Sequence, residues 1–284
     1  MSQDKAAIKA QKEEINGHLM YKKLAQRNKE NRELLSKIAD EELKHYNILK
    51  KITKKDIKPN KIKIKLLSIL ELFFGITFVL KLMEKAENIA QQNYKELEKK
   101  YPEIKLLLDD EEKHEDELIK LINEDRLKYV GSIVLGMNDA LVELTGTLTG
   151  FTFAMQNNKL ISLGGLITGI AAALSMAASE YISTKTENND KNPTLASIYT
   201  GIAYLITVIL IILPFFFPIN PYISLSITLV MGVLIIAIFT YYISVVQDLS
   251  FRKRFTNMVF ISMGVALLSF FIGLLARSVL GIDI

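Results

Sequence analysis

The stretch 41-EELKHYNILK-50 sets Glu42 three places before His45. The chain has only three histidines in 284 residues, yet it repeats that interval in 109-DDEEKHEDEL-118, where Glu111 precedes His114. On a helix, residues three apart share a face, so each pair can aim a carboxylate oxygen and an imidazole nitrogen at one point. Either pair alone is commonplace on a charged helix, and the repetition is what carries weight. Upstream of each pair a further element recurs: Glu14 lies seven residues before Tyr21, and Glu87 seven before Tyr94. The sequence therefore reads as two copies of one unit, Glu-x6-Tyr followed by Glu-x-x-His. A dinuclear metal site inside a four-helix bundle takes one glutamate from each of two helices and a Glu-x-x-His from each of the other two, which is the set this duplication supplies.

Working outward, the pattern predicts helices near 4–28, 31–52, 66–100 and 103–124. Asn28 and Asn31 mark the first turn, and Tyr101-Pro102 separates the third helix from the fourth. The link 53-TKKDIKPNKIKIK-65 is much longer than the other two, the connection pattern of bundles with one long crossover. Residues 4 to about 124 resemble the rubrerythrin-type ferritin-like family. The resemblance implies a dinuclear iron site, with manganese or zinc as substitutes, held by Glu14, Glu42, His45, Glu87, Glu111 and His114, with Glu84 as a further carboxylate one turn before Glu87. Glu41 and Glu115 stand near enough to support or replace a ligand, or are solvated helix charges, and His18 reads as a surface or interface residue. With no cysteine there is no disulfide, no thiolate site and no rubredoxin module, which weighs against a self-sufficient peroxidase.

The net charge of +4 hides an uneven distribution, because Lys and Glu crowd the first 128 residues and thin out from Val130 onward. The start, MSQDKAAIKAQKEEING, lacks the apolar centre of a secretion signal, so the front half is expected in the cytosol. Five later runs reach the ~20 residues that cross a bilayer, near 129–153, 160–183, 195–217, 222–246 and 257–280. Arg126, Lys128, Lys185, Lys191, Arg252, Lys253 and Arg254 fall on one side of that arrangement, which puts the N-terminus and those loops in the cytosol and the C-terminus outside a cell membrane. The run 66-LLSILELFFGITFVLKLM-83 is read as the start of a long bundle helix rather than a sixth span, because it carries Glu71 and Lys81 and because crossing would put the two Glu-x-x-His pairs on opposite faces. Its apolar surface would then meet a dimer partner or the bilayer, under the basic lead-in.

In the first span, Asp139 and Glu143 lie one turn apart, with Asp139 roughly 15 Å from the cytosolic edge. A carboxylate at that depth costs at least about 2.5 kcal/mol and normally serves an ion or a proton. Asn138, Thr145, Thr147 and Thr149 add oxygen atoms or helix contacts. The second span brings Met176 and Glu180 toward the cytosol, and a thioether beside carboxylates suits Fe(II) better than Mg or Ca. Met176 as packing and Glu180 at the headgroups are the plainer readings of those two. The motifs Gly-x-x-Asp, Gly136 to Asp139, and SMAASEYISTKTE resemble the vacuolar iron transporter family over residues 126 to 284, with Glu143 and Glu180 at positions where plant members tend to carry other residues. The resemblance implies export of Fe(II), often with Mn(II), in exchange for protons by a homodimer, with Asp139 and Met176 in the pathway. The second loop is too short for the metal-collecting segment that plant members carry there, and the two-part chain looks like membrane-bound ferritin-type exporters.

The expected fold is all-α: a cytosolic ferritin-like bundle, residues 1–125, followed by a five-helix transmembrane domain, residues 126–284. The expected function is a proton-coupled Fe(II) exporter in lipid, homodimeric and without a nucleic-acid partner, whose bundle captures, senses or oxidises metal. The alternative is a membrane-tethered di-iron oxidase or peroxidase, with the spans mainly an anchor. Manganese as the main substrate is a further possibility, because oxygen and nitrogen ligands suit both metals.

Overall fold

The computed structural model describes residues 3–98, 101–121, 129–187 and 191–280, and the described residues are helical with short turns. They fall into two compact units, Met1–Asn123 and Glu124–Ile284.

In the first unit, α1 (Gln3–Arg27) and α2 (Arg32–Thr53) are joined by a turn that Asn28 closes, accepting from the Asn31 N–H at 3.1 Å. Lys54 ends α2 in the left-handed region, φ 56°. The crossover does not run free to residue 65. Asn60 caps α3 (Lys61–Phe74) by accepting from the N–H groups of Ile62 and Lys63, and α1 fastens the segment before it. Gln11 donates to the Lys55 carbonyl at 2.9 Å, and the Asn16 side chain accepts from the Asn60 N–H at 2.7 Å.

The single helix expected over 66–100 is two helices, α3 and α4 (Ile76–Glu98). Between them Gly75 sits at φ 84°, a conformation that side chains resist. Neither piece is long and apolar enough to count as a membrane span. Helix α5 (Ile104–Leu121) begins just after Pro102. Helices α1, α2, α5 and α4 pack pairwise in a cycle, with α3 against α1. One end of the bundle closes over Leu49, Leu97, Ile104 and Leu107, all buried.

The second unit consists of α6 (Val130–Met155), α7 (Asn158–Thr186), α8 (Pro193–Ile212) with a 3-10 turn at Leu213–Phe216, α9 (Pro221–Val246) and α10 (Phe251–Leu280). Asn-Pro pairs open α8 and α9: Asn192 and Asn220 accept from backbone N–H groups while the proline takes the first helical position, where no N–H is needed. Helices α7 to α10, with the 3-10 turn extending α8, are long and apolar enough to cross a membrane. Helix α6, at 26 residues, has the length, but Asn138, Asp139, Glu143 and its threonines lower its hydropathy. It can afford them because it packs against all four others and buries residues around much of its circumference. Its core partners are Ala140, Leu141, Leu144 and Leu148 against Tyr204, Val208 and Ile211 of α8. At Gly136 a methyl group would stand 2.4 Å from the Thr200 carbonyl oxygen, so α6 and α8 meet at backbone contact.

Candidate metal centres

In the first unit the duplicated motif closes into one cluster. Glu14 of α1, Glu42 and His45 of α2 and Glu111 of α5 are buried, and each offers a ligand atom within 4.8 Å of the others, a group able to hold a metal ion. His45 Nδ1 stands 3.5 Å from both Glu14 Oε2 and Glu111 Oε1. His114 Nδ1 lies 3.6 Å from Glu42 Oε1, and the two imidazoles are 5.9 Å apart between ring centres. Glu14 Oε2, Glu42 Oε1, His45 Nδ1 and His114 Nδ1 are buried without a hydrogen-bond partner. Three of these atoms belong to the four-residue group and His114 Nδ1 stands beside Glu42, and each would cost about 1–3 kcal/mol if left unsatisfied. A cation answers them together, so the residues present fit a metal.

The electrostatics agree. Burial, and then the charges of Glu14, Glu111 and Glu87, push the Glu42 carboxyl well above the usual range. Burial and the charges of Glu111 and Glu14 push Glu87 up as well. Glu111 is raised by burial against the opposing effect of His45. Burial alone would lower His45, yet Glu111 and Glu14 hold its imidazolium up to about 10. Glu14 goes the other way, since the His45 imidazolium 3.5 Å from it outweighs its burial. Protons thus do part of the work of a cation.

The two tyrosines cross the bundle reciprocally. Tyr21 of α1 donates to Glu87 Oε1 of α4 at 3.2 Å, and Tyr94 of α4 donates to Glu14 of α1. A second reciprocity fixes the histidines. Asp110 Oδ2 stands 3.4 Å from His45 Nε2, and Glu41 Oε2 stands 2.7 Å from His114 Nε2. The residue preceding each Glu of a Glu-x-x-His thereby holds the histidine of the other helix, leaving both Nδ1 atoms turned toward the cluster. Asp110 was not anticipated; its one signal is that it precedes Glu111 as Glu41 precedes Glu42. Gly17 is the other unexpected participant, since a methyl group there would meet Glu42 Oε2 at 2.8 Å.

Other expected residues fall differently. Glu84 pairs with Lys81 at 2.8 Å and is not among the four clustered ligands. Glu87 reaches the cluster through Tyr21 and through charge. His18 is buried, not a surface residue, with Nδ1 2.7 Å from the Ala39 carbonyl oxygen. The side chain of Glu115 lies outside the described residues.

In the second unit, Asp139 and Glu143 of α6 line a cleft of about 630 Å³ together with Thr168, Ser175, Met176 and Ser179 of α7. Ala171 and Ala172 of α7 also line it with small side chains. Glu143 Oε2 accepts from the Tyr204 hydroxyl at 2.6 Å, while Asp139 is exposed. Glu180 stands outside this lining and accepts from Ser132 at 2.6 Å. Thr145 and Thr149 donate to carbonyls of their own helix, and Thr145 also meets Ser262 of α10 at 3.0 Å, so these hydroxyls serve helix contacts.

No curated protein and no solved structure matches the chain. Residues 130–192, from the start of α6 through α7 to the turn before α8, are similar to the family model described as VIT family, which supports the vacuolar iron transporter family and, with the four apolar helices, suggests a membrane metal ion transporter.

Proposed function

We propose that this chain exports Fe(II), and Mn(II) with it, from the cytosol in exchange for protons. In this reading residues 126–284 form a five-span domain of the vacuolar iron transporter type, and residues 1–125 a rubrerythrin-like cytosolic bundle that captures metal at a dinuclear centre. The observation that carries it is the convergence of Asp139, Glu143 and Met176 on one cleft within the family-matched segment. Carboxylates bind a divalent cation or protons but not both, which is the chemistry exchange requires, and the thioether favours a softer ion. Tyr204 orients Glu143. Asp139 lies exposed on an apolar helix bundle, where a lone charge at mid-bilayer is costly. A second copy covering it would relieve that cost, which supports a homodimer.

In the bundle, Glu14, Glu42, His45 and Glu111 would hold the metal, with His114, Glu87 and Glu84 completing a second position. Bound there, iron would supply redox chemistry. The test is Fe(II) movement into proteoliposomes with and without an imposed pH gradient; flux indifferent to the gradient removes the antiport part.

A second reading, a membrane-tethered di-iron oxidase, draws on the two tyrosine hydroxyls bonded to Glu14 and Glu87. Oxygen consumption on adding Fe(II), without metal movement, distinguishes it.

A further inference from the structure

Helix α3 presents a face that the bundle does not use. Ile62, Leu66, Ile69 and Phe73 are 81%, 55%, 43% and 77% exposed, and Leu72 beside them is 76% exposed. At 3.6 residues per turn the first four lie within an arc of about 60°. Ile64 and Leu67, on the opposite side, are buried. The helix is therefore apolar on two faces and has a packing partner for one.

Its surroundings are basic. Lys61 and Lys65 flank the exposed stripe on one side, Lys63 lies on the other and pairs with Glu13 of α1, and Lys54, Lys55 and Lys58 precede the helix. The cap at Asn60, the bonds from Gln11 and Asn16, and the hydrogen bond from Tyr46 to Asp56 at 2.7 Å hold the lead-in in place. Gly75 sets α3 off from α4.

We propose that the exposed face of α3 is an interfacial membrane anchor. It lies in the headgroup region of an anionic leaflet, with Ile62, Leu66, Ile69 and Phe73 among the acyl chains and the exposed Lys61 and Lys65 extended to lipid phosphates. The lysines decide between occupants. A second copy of α3 across a twofold axis would bring like charges together, whereas an anionic surface neutralises them. Long lysine stems also suit the edge of an apolar stripe, where they lie along it and keep the ammonium wet. The inference goes beyond metal transport and requires only that α7 to α10 occupy a bilayer.

The chain has no cysteine, so one introduced cysteine is a unique label. The full chain is placed in nanodiscs of phosphatidylcholine, with or without phosphatidylglycerol, and a fluorophore is attached at Leu66→Cys or Phe73→Cys, with exposed Lys44→Cys as control. Quenching by spin-labelled lipid is expected to be several-fold greater at 66 and 73 than at 44, to rise with phosphatidylglycerol and to fall with salt. With the probe at Ile62→Cys, adding Leu66→Glu and Phe73→Glu is expected to abolish it. Quenching at 66 and 73 no greater than at 44 in both lipids overturns the proposal, as does quenching at 62 that survives the two glutamates. Disulfide-linked dimers formed through Leu66→Cys in the nanodisc also overturn it, in favour of a second copy on this face.

Discussion

The Tyr21 hydroxyl on α1 donates to the Glu87 carboxylate on α4, and Tyr94 on α4 returns the contact to Glu14 on α1. The two helices are thus cross-linked by the same pair of residue types read in both directions. The link is local sequence, Glu seven before Tyr, turned into tertiary structure by antiparallel pairing. The two contacts differ in charge, because Glu14 is held ionised by His45 while burial pushes Glu87 toward its neutral form.

That difference yields a first prediction. A hydrogen bond to a charged partner contributes about 1.5–3 kcal/mol and one to a neutral partner about 0.5–1.5 kcal/mol. Tyr94→Phe is therefore expected to destabilise the metal-free bundle more than Tyr21→Phe, as read by hydrogen exchange of the buried amides of α1. Equal costs would mean that Glu14 and Glu87 share one protonation state.

Metal loading is expected to release protons. Glu42 and Glu87 are pushed well above the usual carboxylate range, Glu111 is raised, and His45 is held up to about 10, so His45 at least carries a proton at neutral pH that a cation bound at its Nδ1 must displace. The sign follows: a group that binds a proton in the free state and loses it on loading makes affinity rise with pH. Titration calorimetry in buffers of different ionisation enthalpy reads the number released, and a heat independent of buffer would contradict the account.

Asp110→Asn and Glu41→Gln test the reciprocal hold on the histidines. Each removes the charge that orients the opposite imidazole, and losses of about 10–100-fold in metal affinity are expected from such changes. Affinity unchanged in both variants would leave these residues as surface charges.

Gly17→Ala separates the fold from the site. Alanine favours a helix interior over glycine by up to about 1 kcal/mol, yet its methyl group would displace Glu42 Oε2. Helix content by circular dichroism is expected to hold while metal affinity falls about tenfold, in the range of other displaced ligand supports. A variant that loses helix and affinity together would make Gly17 a packing residue only.

These residues also show what the sequence could reveal. The Glu-x-x-His pairs were legible because both ligand atoms come from one helix face, three residues apart. Asp110 was not, since it acts across helices and sits in a run, DDEEKHEDE, where seven of nine residues are acidic. The break at Gly75 was hidden because the apolar run passes through it without a change of pattern, and only the backbone angle marks the turn. The start of α3 falls within the stretch taken as the long crossover, although Asn60 already offered a cap. In the second unit Asp139, Glu143 and Met176 stood out against apolar surroundings, and the structure sets all three on one cleft. Tyr204 did not stand out, since a tyrosine inside a span is usually packing; its bond to Glu143 is visible only once α6 and α8 are side by side.

The central claim is that a membrane carboxylate carries metal and the bundle serves it. Its most direct test is Fe(II) movement in proteoliposomes under an imposed pH gradient, comparing the intact chain, Asp139→Ala and a chain lacking residues 1 to 125. The account predicts gradient-driven flux in the intact chain, none above background in Asp139→Ala, and reduced but measurable flux without the bundle. Flux that survives Asp139→Ala, or an intact chain that moves no metal while consuming oxygen in the presence of Fe(II), would contradict it.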